Sequence, residues 1–207
     1  MIKKLPAHWR IPAVCWALAL ALWFLAGAAA LGRDTLARAN GSMQPFAIDP
    51  AGLEMADMAA QPDGSFLTTG MDPQLIWQNP DGRVVRTVEM QAEYSRAPRE
   101  MCLFYTTAPG APFDIEKRVF ATQTPDGNYR FVLPPQPIAA LRLDPCSPEE
   151  GRAVEMQLAP LAVNQPLALH RYFAPGWAGL FALVLYPALL AAALSLLQAV
   201  RQVRPRK

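Results

Sequence analysis

Two stretches of the chain, 11–32 and 177–200, contain no charged residue. The first, IPAVCWALALALWFLAGAAALG, has 22 residues, and the second, WAGLFALVLYPALLAAALSLLQAV, has 24. As helices at 1.5 Å per residue they reach about 33 and 36 Å, enough for a hydrocarbon core of ~30 Å. Pro12 stands at the start of the first, where a missing N–H costs nothing. Pro187 interrupts the second, a kink that a membrane span tolerates. Trp9, Tyr172 and Trp177 flank the spans at positions suited to interfacial aromatics.

Charge position predicts the topology. Lys3, Lys4 and Arg10 precede the first span, Arg201, Arg204, Arg206 and Lys207 follow the second, and neither end carries an acid. The remaining 12 basic and all 17 acidic residues lie between, a balance of 12 − 17 = −5. The positive-inside rule then places 1–10 and 201–207 in the cytoplasm of an inner membrane and the central region outside. The net charge of +2 gives no reason to expect a nucleic-acid partner. A cleaved signal peptide competes for the first stretch, since Ala-rich LAGAAALG offers small residues near a cleavage point. Its apolar run exceeds the usual h-region of about 7–15 residues, which favours an uncleaved anchor.

The segment 33–64 is Ala/Met-rich and weakly patterned, and reads as a linker with a helical extension over 34–39. From Phe66 the period becomes two. Val88, Met90, Ala92 and Tyr94 alternate with polar residues, as do Tyr129, Phe131 and Leu133, Leu141 and Leu143, and Val154, Met156 and Leu158. Turns such as NPDG at 79–82 and PDGN at 125–128 punctuate the runs. Strands are expected near 66–69, 74–78, 84–94, 101–107, 117–122, 129–133, 140–143, 153–158 and 161–169. The expected fold is membrane-anchored and all-β: an antiparallel jelly-roll β-sandwich over 65–170, flanked by transmembrane helices at 11–32 and 177–200.

Cys15 lies in the first span and reads as a packing residue. Cys102 and Cys146 fall in the exported region, where compartments are oxidising, and a bond between them would close a loop of about 45 residues, worth roughly 3–4 kcal/mol. Two unpaired buried thiols are the alternative. No nucleophile elbow, phosphate loop or metal-ligand spacing is visible, so no catalytic residue, metal or cofactor is expected and the chain reads as non-enzymatic. His8 and His170 both border the spans, and His170 reads as part of an interfacial cluster with Arg171 and Tyr172. Two Asp-Pro pairs stand out, Asp72-Pro73 and Asp144-Pro145. Each aspartate fixes a turn or contributes to a sugar or cation site. Trp77, Tyr94, Tyr105 and Tyr129 are the aromatic candidates for sugar faces, Trp77 foremost, with core packing as the competing role for each.

The series TGMDPQLIW, CLFYTTAPGAPFDIEKRVF, NYRFVLP, AALRLDP and RAVEMQLAPL, spanning 66–161, resembles a β-sandwich module of bacterial envelope glycosyltransferases and surface-polysaccharide assembly proteins. That module is similar to carbohydrate-binding jelly rolls. Cys146 departs from the small residue expected after Asp-Pro, and with Cys102 suggests a local disulfide variant. The resemblance implies an accessory protein that binds or positions a glycan. The small residues of the spans, among them Ala17, Ala21, Gly27, Ala28, Gly179, Ala188 and Ala192, suit either packing of the spans on each other or docking to a polytopic membrane partner, such as a glycosyltransferase or exporter, within the lipid bilayer. A structural oligomeric assembly or chain-length factor without sugar affinity is the alternative, and an exported hydrolase, resting only on abundant carboxylates, ranks last.

Overall fold

A computed structural model describes residues 7–203. Lys3, Lys4, Arg204, Arg206, Lys207 and the side chain of His8 lie outside the described residues. The chain divides into two units: Met1–Arg33 with Leu167–Lys207, and Asp34–Pro166.

The first unit is helical. Helix α1 is Ala7–Ala39, whose residues from Asp34 onward belong to the second unit, and α2 is Trp177–Val203. Both are long and apolar enough to cross a membrane. Two of their glycines lie in close contacts within this unit. A Cβ on Gly27 would come within 2.6 Å of the Tyr172 carbonyl oxygen, and one on Gly179 within 2.5 Å of the Trp23 ring. The Trp23 indole N–H donates to the Phe173 carbonyl at 2.8 Å, which satisfies a polar group that lipid would leave unpaired.

The second unit is built from antiparallel sheets. Its strands are β1 Phe46–Ile48, β2 Glu54–Ala56, β3 Met58–Ala60, β4 Phe66–Thr68, β5 Gln74–Gln78, β6 Val84–Met90 and β7 Ala92–Tyr94. They continue with β8 Cys102–Thr106, β9 Arg118–Phe120, β10 Thr122–Gln123, β11 Tyr129–Pro137, β12 Ala140–Asp144, β13 Glu155–Leu158 and β14 Leu161–Val163. The sheets run β1-β14-β6-β11-β10, β2-β5-β12-β8-β9 and β3-β4-β13-β7.

One expected strand changes sheets part-way. The alternation over 84–94 is divided at Gln91, with β6 in the first sheet and β7 in the third. Its partner divides at Ala159-Pro160, where the Ala159 N–H donates to the Gln91 carbonyl at 3.0 Å. Pro160 cannot donate to a ladder, so the bend falls there. One apolar core draws on all three sheets: Val85, Val88, Phe131 and Leu133 from the first, Leu75, Leu103, Leu141 and Leu143 from the second, Phe66 and Met156 from the third.

The segment 33–64 is not the linker expected from its sequence. It supplies β1, β2 and β3, one edge strand to each sheet. Each is three residues long, too short for an alternation to show.

The turn over TGMDPQ is structural. Asp57 adopts φ +52°, and its carbonyl accepts from the N–H groups of Thr69 at 2.8 Å and Gly70 at 3.1 Å. Its carboxylate accepts from the Asp72 N–H at 3.1 Å and crosses directly over Gly70, where a Cβ would lie 2.2 Å from the Asp57 carboxyl carbon. Gly70→Ala is therefore expected to destabilise by about 1–3 kcal/mol, because Asp57 must swing away and release Asp72. Thermal unfolding monitored by circular dichroism checks this, and an unchanged midpoint would contradict it.

The expected Cys102–Cys146 disulfide is overturned, since both cysteines are free and buried. Cys102 sits opposite Asp144 in the β8–β12 register, on the face of the sheet away from the core, with Sγ 3.9 Å from Asp144 Oδ2. Pro145 ends β12, and Cys146 turns into the core cluster. The two thiols thus lie on opposite faces of one sheet, where no disulfide geometry is open to them. Burial pushes both thiols up to about 11. At pH 8 only about one part in a thousand would be thiolate. Both should resist iodoacetamide in the native chain and label fully on unfolding without reductant. Peptide mass spectrometry reads the result, and a bridged peptide would contradict it.

Candidate functional site

The residues singled out in the sequence separate into two environments. Tyr105, 8% exposed, belongs to the core. Trp77 is half-buried on the same inward face of β5, opposite Leu141 and 5.6 Å from the Phe46 ring. Both rings pack against the core.

Asp72 and Asp144 do meet, across Arg142. The Arg142 guanidinium donates to both oxygens of Asp144 at 2.7 Å and to Asp72 at 3.4 Å, and stacks over the Phe104 ring at 4.7 Å. Burial holds the Asp144 carboxyl above its usual range, against the opposing pull of Arg142. The cation that two aspartates would recruit is thus already supplied by the chain. Among the described residues no group of three His, Cys, Asp or Glu side chains is arranged to hold a metal ion.

A different place offers aromatic surface. The outward face of β9 carries Arg118 and Phe120, because Val119 between them packs against the core. Phe120 is 49% exposed, with the Arg118 guanidinium 4.5 Å from its ring centroid. Phe120 borders a cleft of about 610 Å³ lined by Pro98, Arg99, Glu100, Met101, Ala121, Gln123, Tyr129 and Ser147. The cleft beside the TGMDPQ turn is smaller, at about 360 Å³, and has no aromatic lining.

Several contacts hold the walls. Gln123 pairs with Tyr129 in the β10–β11 register, so an amide and a phenol ring share one wall. The Tyr129 ring meets Tyr94 edge-on at 6.3 Å and 86°, and the Tyr94 hydroxyl donates to the Pro145 carbonyl at 2.9 Å. Burial pushes the Tyr94 phenol well above its usual range, so it stays a neutral strut behind Tyr129. Phe120 is fixed from the other side by pairing with Cys102. Two flat rings, an amide, a hydroxyl and a backbone bend therefore share one open cleft. Rings of this kind offer apolar faces, and Gln and Ser offer both donors and acceptors.

Of the aromatic candidates, only Tyr129 reaches this cleft, and Tyr94 stands behind it. Phe120 was missed in the sequence. The available signal was an aromatic on the outward parity of a short strand, in Arg118-Val119-Phe120.

No family model matches the chain, and no curated protein does. Among solved structures it is similar to a low-affinity xylan-binding module from Roseburia intestinalis, with 16% identity and a TM-score of 0.37, over 58% of this chain and 94% of that one. It is also similar to a family two carbohydrate esterase from Cellvibrio japonicus, with 11% identity and a TM-score of 0.35. That match covers 59% of this chain and only 33% of the esterase. At TM-scores below 0.5 neither likeness identifies the fold or assigns a ligand.

Proposed function

We propose that this protein is a membrane-anchored, non-enzymatic accessory protein of the bacterial envelope whose β unit, a jelly-roll-like sandwich, binds a glycan in the cleft between Phe120 and Tyr129. The observation that carries the reading is Phe120, a ring left half-exposed on an edge strand and bordering a cleft with polar groups around it. A sugar ring presents apolar C–H faces and a rim of hydroxyls. Phe120 and Tyr129 suit the faces, while Gln123 and Ser147 suit the rim. The resemblance of 66–161 to modules of glycan-handling envelope proteins points the same way.

Both helices serve as transmembrane anchors in this reading. The basic ends face the cytoplasm and the −5 central region faces outward, in keeping with the distribution of charge. Two spans also offer a surface to a polytopic partner such as a glycosyltransferase or exporter, whose glycan the β unit would hold or guide. The test is calorimetric titration of the full chain in detergent with a panel of envelope oligosaccharides. Binding of at least one with a dissociation constant in the micromolar to low-millimolar range is expected. Absence of binding across the panel at millimolar sugar would overturn the proposal.

A further inference from the structure

We infer that the cleft beside Phe120 selects a glycan carrying a carboxylate, a uronic acid, and that Arg99 is the residue that reads it. This rests on the glycan reading above and narrows its ligand class. Arg99 lines the cleft, and its side chain remains 64% exposed. It pairs with Glu149, but Glu149 is shared, for Arg152 donates to the other oxygen of that carboxylate at 2.9 Å. One negative charge thus serves two guanidiniums, each with five N–H donors. On the far side Arg118 stands 4.0 Å from Glu100. The charged side chains that line the cleft are Arg99 and Glu100, and the triad of Arg99, Glu149 and Arg152 beside it holds two guanidiniums on one carboxylate. The central region as a whole carries −5. An arginine whose carboxylate partner is shared with a second arginine keeps N–H donors for an anionic ligand, and a guanidinium matches a carboxylate in bidentate geometry. Arg99 is placed to meet a carboxylate on a sugar whose ring lies against Phe120.

The experiment titrates the full chain in detergent with matched pairs of oligogalacturonate and oligoglucuronate, each against its methyl ester. The ester keeps the sugar backbone and removes the charge. At low salt the acid should bind about three- to fivefold tighter than its ester, the range an exposed charge pair supplies, and the gap should narrow as salt rises. In Arg99→Gln the acid-to-ester ratio should fall to about one, while Arg99→Lys should keep part of it, because the charge remains and the fork is lost. Equal affinity for acid and ester, or a ratio that survives Arg99→Gln, overturns the inference. If the esters alone bind and Phe120→Ala abolishes this, the glycan reading stands and the uronate inference falls. If neither member of any pair binds, the inference falls outright, and the wider oligosaccharide panel decides the glycan reading separately.

Discussion

Arg86→Ala should lower the stability of the β unit by about 3–5 kcal/mol, the largest single-residue effect expected here. The Arg86 side chain is 15% exposed, and its Nε donates to Asp34, itself 3% exposed, at 3.2 Å. Its Nη1 donates to the Leu133 carbonyl on β11. The backbone N–H of Arg86 is held at 2.8 Å by Asn164, which adopts φ +58° and also donates to the Val84 carbonyl at 2.8 Å. Arg38 closes the arrangement by donating to the Asn164 carbonyl at 2.8 Å. The turn of α1 from Asp34 to Ala39 is thereby tied to β6 and to the end of β14. Alanine at position 86 removes at once the ion pair to the buried Asp34 carboxylate and the bond to the Leu133 carbonyl. A fall in melting temperature of roughly 10–20 °C is expected. The double variant Asp34→Leu/Arg86→Leu should recover part of it, since the desolvation of both charged groups is removed together. A single variant that melts within 2–3 °C of the parent, about what 0.5 kcal/mol gives, would show that the pair carries little.

Phe120→Ala should separate binding from stability. Half of the ring already faces solvent, so its loss should cost the fold no more than about 1 kcal/mol. If a sugar ring packs on it, the lost contact amounts to about 1–2 kcal/mol, or five- to thirtyfold in affinity. Tyr129→Ala would weaken binding too, but it also removes the edge-on contact with Tyr94 and is the less clean variant. Calorimetry and thermal unfolding on the same preparation read both quantities. Loss of both together would assign Phe120 to packing rather than to a ligand.

What was legible in the sequence followed the length of each signal. The two apolar runs needed no tertiary context, and neither did the long alternations that became β6, β11 and β12. The strands at 46–48, 54–56 and 58–60 left no such trace, because three residues on a sheet edge show no period. The disulfide expectation failed at one proline. Continued alternation would have put Cys146 on the face of Cys102, but Pro145 ends the strand and turns Cys146 inward. The placement of the aromatic candidates turned on parity in the same way. Trp77 was favoured as a large aromatic beside a turn, yet its parity on β5 matches Leu75, which is 1% exposed. Phe120 had the opposite parity, visible only once Val119 was known to face the core. Asp72 and Asp144 read as turn-fixing residues or parts of a cation or sugar site, and the structure brings both onto Arg142. The guanidinium that joins them sits two residues before Asp144, in a strand whose face could not be fixed in advance.

The proposed function places a sugar in the cleft between Phe120 and Tyr129. Hydrogen–deuterium exchange of the full chain in detergent, with and without saturating oligosaccharide from the binding panel, tests it most directly. Slowed amide exchange confined to residues 118–123 and 128–130 is expected with at least one glycan. Protection centred elsewhere, such as at 68–72 and 148–153, or no protection with any glycan at millimolar concentration, would contradict it.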